Sequence, residues 1–288
     1  ARSIRPICSV QWVSMETDQS ATVASLLRRA KTSLHLIDSA HLDSELLLAH
    51  VLGVDRSWLF AHSSSGCTTD QKEIYFGLID RRARGEPFAY LINQQSFWED
   101  EFFVSEGALI PRPDTERVIE IVLATVGNEP KTVLDLGTGS GCIAVSLAKA
   151  RPSWSVYASD IESDALAVAK KNIKAAPNCL LIQADWLKAI RPSSVDVIVS
   201  NPPYIAPGDP HLADLSFEPE RALVAEQNGY AAYAAILREA PSVLRPSGTL
   251  VFEHGYEQQA KLSAMARAAG FRSEEHTSEL QSPDHLVC

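Results

Sequence analysis

The chain has 288 residues, of which 45% are hydrophobic and 22% are charged, and this ordinary globular composition excludes a chain that is disordered throughout. Its 36 acidic and 26 basic residues give a formal net charge of −10, which argues against binding nucleic acid by bulk positive charge. No apolar run approaches the roughly 18 residues of a membrane helix, and the length predicts about two domains.

The cysteines and histidines predict neither a metal site nor a disulfide framework. The five cysteines are odd in number, no two have C-x-x-C spacing, and the eight histidines include no metal-like pair. We therefore predict a chain without metal in the reducing cytoplasm, with the cysteines acting as small hydrophobic side chains. For His254 we expect a structural role. The cysteines are Cys8, Cys67, Cys142, Cys179 and Cys288.

The two ends of the chain lack the patterns of the rest. Residues 1–14 carry no helical periodicity and precede Met15, so we interpret them as upstream read-through rather than as a short ordered arm. Residues 272–288 resemble the translation of a sequencing-adapter oligonucleotide. We interpret them as a non-native tail rather than as a polar helix.

Residues 15–92 predict a bundle of helices. Apolar residues recur at helical spacing in two segments, and the second of these helices ends at Gly53. A third helix is predicted to be capped by Asp70 and to end near Gly85. Residues 93–116 form a linker, in which phenylalanines and aliphatic residues predict a short hairpin.

Helices and strands alternate over residues 117–271, which predicts parallel β-α-β units and a doubly wound α/β sheet. The predicted strands are Thr132–Leu136, Ser155–Ser159, Leu180–Gln183, Val195–Ser200 and Thr249–Glu253. The predicted helices are Arg117–Val126, Cys142–Ala150, Ser163–Ala176, Tyr230–Val243 and Tyr256–Ala269.

A glycine-rich loop follows the first of these strands. In Asp135-Leu-Gly137-Thr-Gly139-Ser-Gly141, the glycines let the backbone turn tightly and approach a ligand closely. The G-x-G-x-G spacing is one residue shorter than the dinucleotide fingerprint and resembles that of S-adenosylmethionine-dependent methyltransferases. Asp160 ends the next strand, where a carboxylate can accept both hydroxyls of a ribose. The loop therefore predicts a nucleoside cofactor rather than a tight turn without a ligand.

Asp185 and Trp186 follow the third strand at the same edge of the sheet, where open α/β sheets bind ligands. Trp186 can cover an adenine, and Asp185 can accept a hydrogen bond from its amino group. A partly buried core tryptophan remains the alternative.

The segment Asn201-Pro202-Pro203-Tyr204 follows the fourth strand. Its prolines have no N–H and fix φ at about −65°, so the carbonyls project without competing donors. Together with the Asn201 side-chain oxygen they offer two acceptors beside an aromatic ring, which suits a planar –NH2 group. Accepting both N–H bonds holds the nitrogen in line with a sulfonium methyl and stabilises its growing positive charge, so no general base is needed. A rigid Pro-Pro turn is the alternative.

With these motifs the chain resembles the release factor glutamine methyltransferases, the HemK/PrmC family, over roughly residues 15–271. The resemblance implies a class I, Rossmann-like methyltransferase fold with an N-terminal helical bundle. It also implies methyl transfer from S-adenosylmethionine to the N5 amide nitrogen of the glutamine in the Gly-Gly-Gln motif of peptide chain release factors. Besides the motifs above, it rests on the bundle and on Leu109-Ile-Pro-Arg-Pro-Asp-Thr-Glu116, Phe217-Glu-Pro219 and Glu253-His-Gly255.

The resemblance implies roles for single residues. Asn201, Pro202 and Tyr204 are expected to be catalytic, and Arg112 and Glu116 are expected to lie in a loop that lines the pocket. The residues expected to bind the methyl donor are Gly137, Thr138, Gly139, Ser140, Gly141, Asp160, Asp185, Trp186 and Asn201. Those expected to bind the substrate are Asn201, Pro202, Pro203, Tyr204, Arg112 and Glu116.

Two features depart from the family pattern. Asn93 stands where the family has glycine, and asparagine tolerates a left-handed backbone. The two strands that end the family fold are absent from the pattern of this sequence. Without them the strand Thr249–Glu253 has an unpaired edge, so we expect a lower thermal midpoint than for a version with those strands restored.

Three other functions remain as alternatives: a ribosomal-protein glutamine methyltransferase, a DNA adenine-N6 methyltransferase, and an inactive binder of donor or release factor. The DNA enzyme would need base flipping and a basic DNA-reading region, which an acidic chain with a helical bundle does not offer. The ribosomal-protein glutamine methyltransferase would carry Pro-Arg-Ser-Pro in place of Pro111-Arg-Pro-Asp114. We expect residues 15–92 to dock the release factor, and we expect a monomer that binds neither membrane nor, stably, nucleic acid.

Overall fold

The computed structural model describes residues 22–272 and divides into two units, with the boundary between Glu86 and Pro87. The sequence predicts that the helical bundle extends to residue 92, which lies beyond this boundary. The interpretations of residues 1–14 and 273–288, and of any strands beyond residue 272, lie outside the described residues.

Helices form the described part of the first unit, as the helical spacing predicts. They are α1 (Val23–Ser33), α2 (Ala40–Leu52), α3 (Arg56–Ala61) and α4 (Thr69–Ala83). Gly53 ends α2 in a left-handed conformation with φ 66°, which confirms the predicted stop. The predicted Asp70 cap is wrong: α4 is capped two residues earlier by Thr68, because Thr68 and Gln71 form a reciprocal capping box.

A short helix and a hairpin open the second unit. The helix α5 (Phe88–Ile92) ends at Asn93, which takes a left-handed φ of 55° and donates from its amide to the Val104 carbonyl. Strands β1 (Gln94–Phe97) and β2 (Asp100–Phe103) pair in antiparallel register, which confirms the predicted hairpin.

The rest of the second unit is a parallel five-stranded sheet, which confirms the predicted doubly wound architecture. Its strands are β3 (Thr132–Leu136), β4 (Ser155–Asp160), β5 (Cys179–Gln183), β6 (Val195–Ser200) and β7 (Leu244–Phe252) in the order β5-β4-β3-β6-β7. The helices are α6 (Glu116–Thr125), α7 (Cys142–Ala150), α8 (Ser163–Asn172), α9 (Glu220–Leu223), α10 (Glu226–Gly229), α11 (Ala231–Val243) and α12 (Gln259–Ala268).

Several predicted bounds differ from the structure. The helix predicted through Ala176 ends at Asn172 and continues as a 3-10 turn, and a 3-10 turn also precedes α12. Strand β7 begins at Leu244 rather than at Thr249, because its first residues extend alongside β6 across an irregular register. Within residues 22–272, β7 pairs with β6 alone.

Both faces of the sheet are buried. Neighbouring residues of β3 point to opposite sides, so that Val133 joins one apolar cluster with Trp154, and Leu134 joins another with Ile236. Burial on both faces explains the nearly continuous apolar sequence of the central strands. In the range 22–272, no helix is both long and apolar enough to cross a bilayer.

Candidate active site

The glycine-rich loop connects β3 to α7 through three left-handed residues. Gly137, Gly139 and Gly141 have φ of 66°, 57° and 83°, a conformation that glycine adopts without strain. A Cβ on Gly141 would lie 3.3 Å from that of Ala169, whereas one on Gly139 would meet no described atom within 4 Å. Gly141 therefore lets α7 and α8 approach each other, and Gly139 keeps the space above the loop open.

Asp160, at the carboxyl end of β4, is bound to this loop. Its Oδ2 accepts from the Gly139 N–H at 3.0 Å and its Oδ1 accepts from the Glu162 N–H at 3.0 Å. Burial raises the pKa of Asp160, and the backbone N–H groups, which favour the ionised form, oppose this effect. The carboxylate is thus fixed in direction beside the loop.

Asp135, at the carboxyl end of β3, stabilises the loop from within. Its side chain is fully buried and its Oδ2 accepts from the Thr138 hydroxyl at 2.6 Å. Burial raises the pKa of Asp135 to about 7, against the hydrogen bond from Thr138. The bond from Thr138 therefore anchors the loop to the end of β3, and the side chains of Thr138 and Ser140 are both buried.

Trp186 follows β5 with an unusual left-handed φ of 47°. Its ring lies above Gly137, where a Cβ would come within 3.8 Å of the ring. The neighbouring Asp185 forms an ion pair with Lys188. Both residues border the same space as the glycine loop, so the carboxyl ends of β3, β4 and β5 converge as the sequence analysis predicts.

These elements border an open cleft in the second unit. Of the predicted site residues, it is lined by Gly137, Gly139, Asp160, Asp185, Trp186, Asn201 and Pro203. Thr138, Ser140, Gly141, Pro202, Tyr204, Arg112 and Glu116 are not among the lining residues. The cleft is also lined by Gly107, Ala108, Leu109, Ser159, Ile161, Glu162, Ala165, Ala184, Pro219, Arg221 and Ala222. None of these was predicted as a site residue, although Leu109 and Pro219 stand in motifs on which the family resemblance rests.

Asn201-Pro202-Pro203-Tyr204 leaves the carboxyl end of β6 beside this cleft. The Asn201 amide donates from Nδ2 to the Thr115 hydroxyl at 3.1 Å. The Tyr204 hydroxyl lies 3.5 Å from Oε1 of Glu253, at the end of β7. Burial raises the pKa of Glu253, and hydrogen bonding from Thr115, Tyr204 and Asn201 counteracts it. The segment is therefore tied to two neighbouring elements.

Gln258 holds the same segment from behind. Its Nε2 donates to the Tyr204 carbonyl at 3.0 Å, and its Oε1 accepts from the Gly255 N–H at 3.1 Å. Gly229 approaches so closely that a Cβ there would lie 2.1 Å from the Tyr204 carbonyl oxygen. No motif identifies either residue, so the sequence analysis missed both.

The close approach of Gly229 predicts a large effect of a single methyl group. We expect Gly229→Ala to lose about 3 kcal/mol of unfolding free energy, since it adds a backbone collision to left-handed strain. Gly208→Ala is the matched control, because Gly208 has a similar φ of 81° and open space around its Cβ. We expect the control to lose only about 1 kcal/mol. Urea unfolding measures both, and equal losses would contradict the collision.

Arg112 and Glu116 lie in contacts away from the cleft. Arg112 forms an ion pair with the buried Glu218 at 2.5 Å, and Glu218 also accepts from the Ile110 N–H at 3.0 Å. Glu116 accepts from the Trp98 N–H in the hairpin turn at 2.9 Å. Their observed contacts fasten the loop that precedes α6, and their expected part in binding a substrate stays a prediction.

Two family matches cover most of the chain. Residues 25–92 match the PrmC N-terminal domain, and residues 116–214 match the methyltransferase small domain. The release factor glutamine methyltransferase of Salmonella typhimurium is 40% identical over 266 residues, which are 91% of this chain and 96% of that protein. The proteins of the same name from Xylella fastidiosa and Escherichia coli are 40% and 39% identical over 85% and 86% of this chain, and 91% of each relative is covered.

Proposed function

The chain belongs to the release factor glutamine methyltransferase family, and we propose that it methylates the side-chain amide nitrogen of the glutamine in the Gly-Gly-Gln motif of peptide chain release factors. S-adenosylmethionine is the methyl donor, and the fold is that of a class I methyltransferase. Asn201-Pro202-Pro203-Tyr204 carries the proposal, because it places amide acceptors beside a cleft lined by Gly139 and Asp160.

The residues around the cleft fit a nucleoside-containing donor. S-adenosylmethionine, when bound, supplies a methyl group on a positively charged sulfur. Gly139 leaves open the space that a Cβ would enter, and Asp160 presents a fixed carboxylate to that space. We assign ribose binding to Asp160 and adenine contact to Trp186, with Asp185 beside it. We assign Thr138, Ser140 and Gly141 a structural role, which is to maintain the conformation of the glycine-rich loop.

The residues of the Asn-Pro-Pro-Tyr segment act on the substrate glutamine. Oδ1 of Asn201 and the carbonyl of Pro202 each accept one N–H of the substrate amide. These bonds orient the nitrogen lone pair and stabilise the positive charge that develops on nitrogen during transfer. The alkylated nitrogen is acidic enough to lose a proton to water, so no side chain has to act as a base. Tyr204 packs against the glutamine.

Methyl transfer to a defined glutamine tests this function. The purified chain is incubated with labelled S-adenosylmethionine and a release factor, and separately with a factor whose Gly-Gly-Gln is changed to Gly-Gly-Ala. We expect label on the first factor alone. Label on both factors would mean that the methylated residue is not this glutamine. Donor binding in calorimetry without any transfer would instead support an inactive binder.

We further propose that the helical first unit docks the release factor and that the chain acts in the cytoplasm as a monomer, without stable binding of nucleic acid. Light scattering of the chain, alone and mixed with the release factor, measures the mass of each species. A dimer alone in solution would contradict the monomer.

A further inference from the structure

The side-chain amide of Asn201 is held at its Nδ2 end. Its Nδ2 donates to the Thr115 hydroxyl at 3.1 Å, and Thr115 is 3% exposed. An asparagine amide presents an oxygen acceptor at one end and an –NH2 donor at the other, and the two ends are nearly the same size. A partner that distinguishes the ends is therefore needed to keep the oxygen toward the cleft.

The Glu253 carboxyl lies against the same end of the amide. Hydrogen bonding from Thr115 and from Asn201 counteracts the burial that raises the pKa of Glu253. Carboxyl oxygens accept hydrogen bonds, so the Thr115 hydroxyl and this carboxyl together hold the –NH2 end of the amide away from the cleft.

We infer that Thr115 is a positioning residue for methyl transfer, which fixes the amide of Asn201 with Oδ1 toward the substrate. The inference rests on the proposed function, in which that oxygen accepts an N–H of the substrate glutamine. Thr115 itself does not line the cleft, so it acts through Asn201 rather than on the substrate. If the amide turned over, its –NH2 group would face the substrate –NH2 group and the two donors would repel.

Three variants separate the hydroxyl from the shape of the side chain. Thr115→Val keeps the shape and removes the hydroxyl, and Thr115→Ser keeps the hydroxyl. Thr125→Val is the matched control, since Thr125 is exposed on α6 and its hydroxyl bonds only its own helix, at the Ile121 carbonyl. In steady-state assays with a release factor, we expect Thr115→Val to lower kcat about 10- to 100-fold with an unchanged KM for the donor. Thr115→Ser retains most of kcat, and Thr125→Val matches the unchanged chain.

A spectroscopic measurement tests the orientation without any substrate. The full chain is labelled with [15N]asparagine, and the side-chain signals of Asn201 are identified by their loss in Asn201→Asp. We expect these signals to shift in Thr115→Val and to stay in place in Thr115→Ser and Thr125→Val.

The two measurements test different parts of the inference. Signals that do not move in Thr115→Val overturn the inference, whatever the enzyme does. Moved signals with an undiminished kcat overturn the positioning role. If the signals move as expected but the unchanged chain transfers no methyl group to the release factor, the proposed function fails while Thr115 is still shown to orient the amide.

Discussion

Asn201→Ala is expected to lower kcat for methylation of the release factor by about 100- to 1000-fold, the loss typical of removing one preorganised group that stabilises a developing charge. The substitution removes the oxygen that accepts one substrate N–H. Only the Pro202 carbonyl then remains, and one acceptor allows the amide nitrogen to rotate away from the methyl group. The loss should appear in kcat, because the missing bond strengthens as positive charge develops on nitrogen.

The control for this variant is Asn128→Ala, an exposed asparagine in the segment before β3. We expect it to retain full activity. Because Asn201 also lines the donor cleft, calorimetry with S-adenosylmethionine should accompany the kinetics. A kcat within a few-fold of that of the unchanged chain would show that Asn201 has no catalytic role. A loss explained entirely by weaker donor binding would assign it to the donor site instead.

The central strands are the part of the fold that the sequence predicts best. The strands Thr132–Leu136 and Val195–Ser200 have the same bounds in the prediction and in the structure, as does the helix Cys142–Ala150. Each strand is buried on both faces, so its apolar run is continuous and its ends are marked by polar residues or glycine. Local sequence carries this information completely.

The contacts that hold the site together have no such local signal. Glu218 binds Arg112 across 106 positions of the sequence, and Asn201 binds Thr115 across 86. Neither a sequence motif nor hydrophobic periodicity predicts which buried polar groups become neighbours when the parallel strands align. For the same reason, the sequence does not predict that Gln258 and Gly229 contact the backbone carbonyl of Tyr204.

The short elements were missed for a different reason. Helices α3 and α9 have six and four residues, too few for the apolar spacing of a helix to repeat. The cap of α4 illustrates a competition between neighbours: Asp70 is a good capping residue, but Thr68 has a partner in Gln71 that completes a capping box. Such choices depend on pairs of side chains rather than on single preferences.

Asp160→Ala is expected to weaken binding of S-adenosylmethionine by about 100-fold or more, because two hydrogen bonds to a charged group contribute about 1.5–3 kcal/mol each. The carboxylate is already oriented by the N–H groups of Gly139 and Glu162, so little ordering is left for the ligand to impose. Asp164→Ala is the control, an exposed acid in the first turn of α8. Isothermal calorimetry gives Kd for both.

Kinetics then distinguish the two largest effects from each other. For Asp160→Ala, we expect the KM for the donor to rise and kcat at saturating donor to fall by less than about 10-fold, since the ribose lies away from the reacting atoms and its contacts are the same in the ground and transition states. Asp160 also accepts from the loop at Gly139, so Asp160→Asn, which keeps an acceptor there, checks that the loop has not collapsed. If both Asp160 variants bound the donor normally, the ribose assignment would be wrong. If Asp160→Ala instead lost kcat as Asn201→Ala does, the carboxylate would serve the chemical step, and the division between a donor site at β4 and an acceptor site at β6 would not hold.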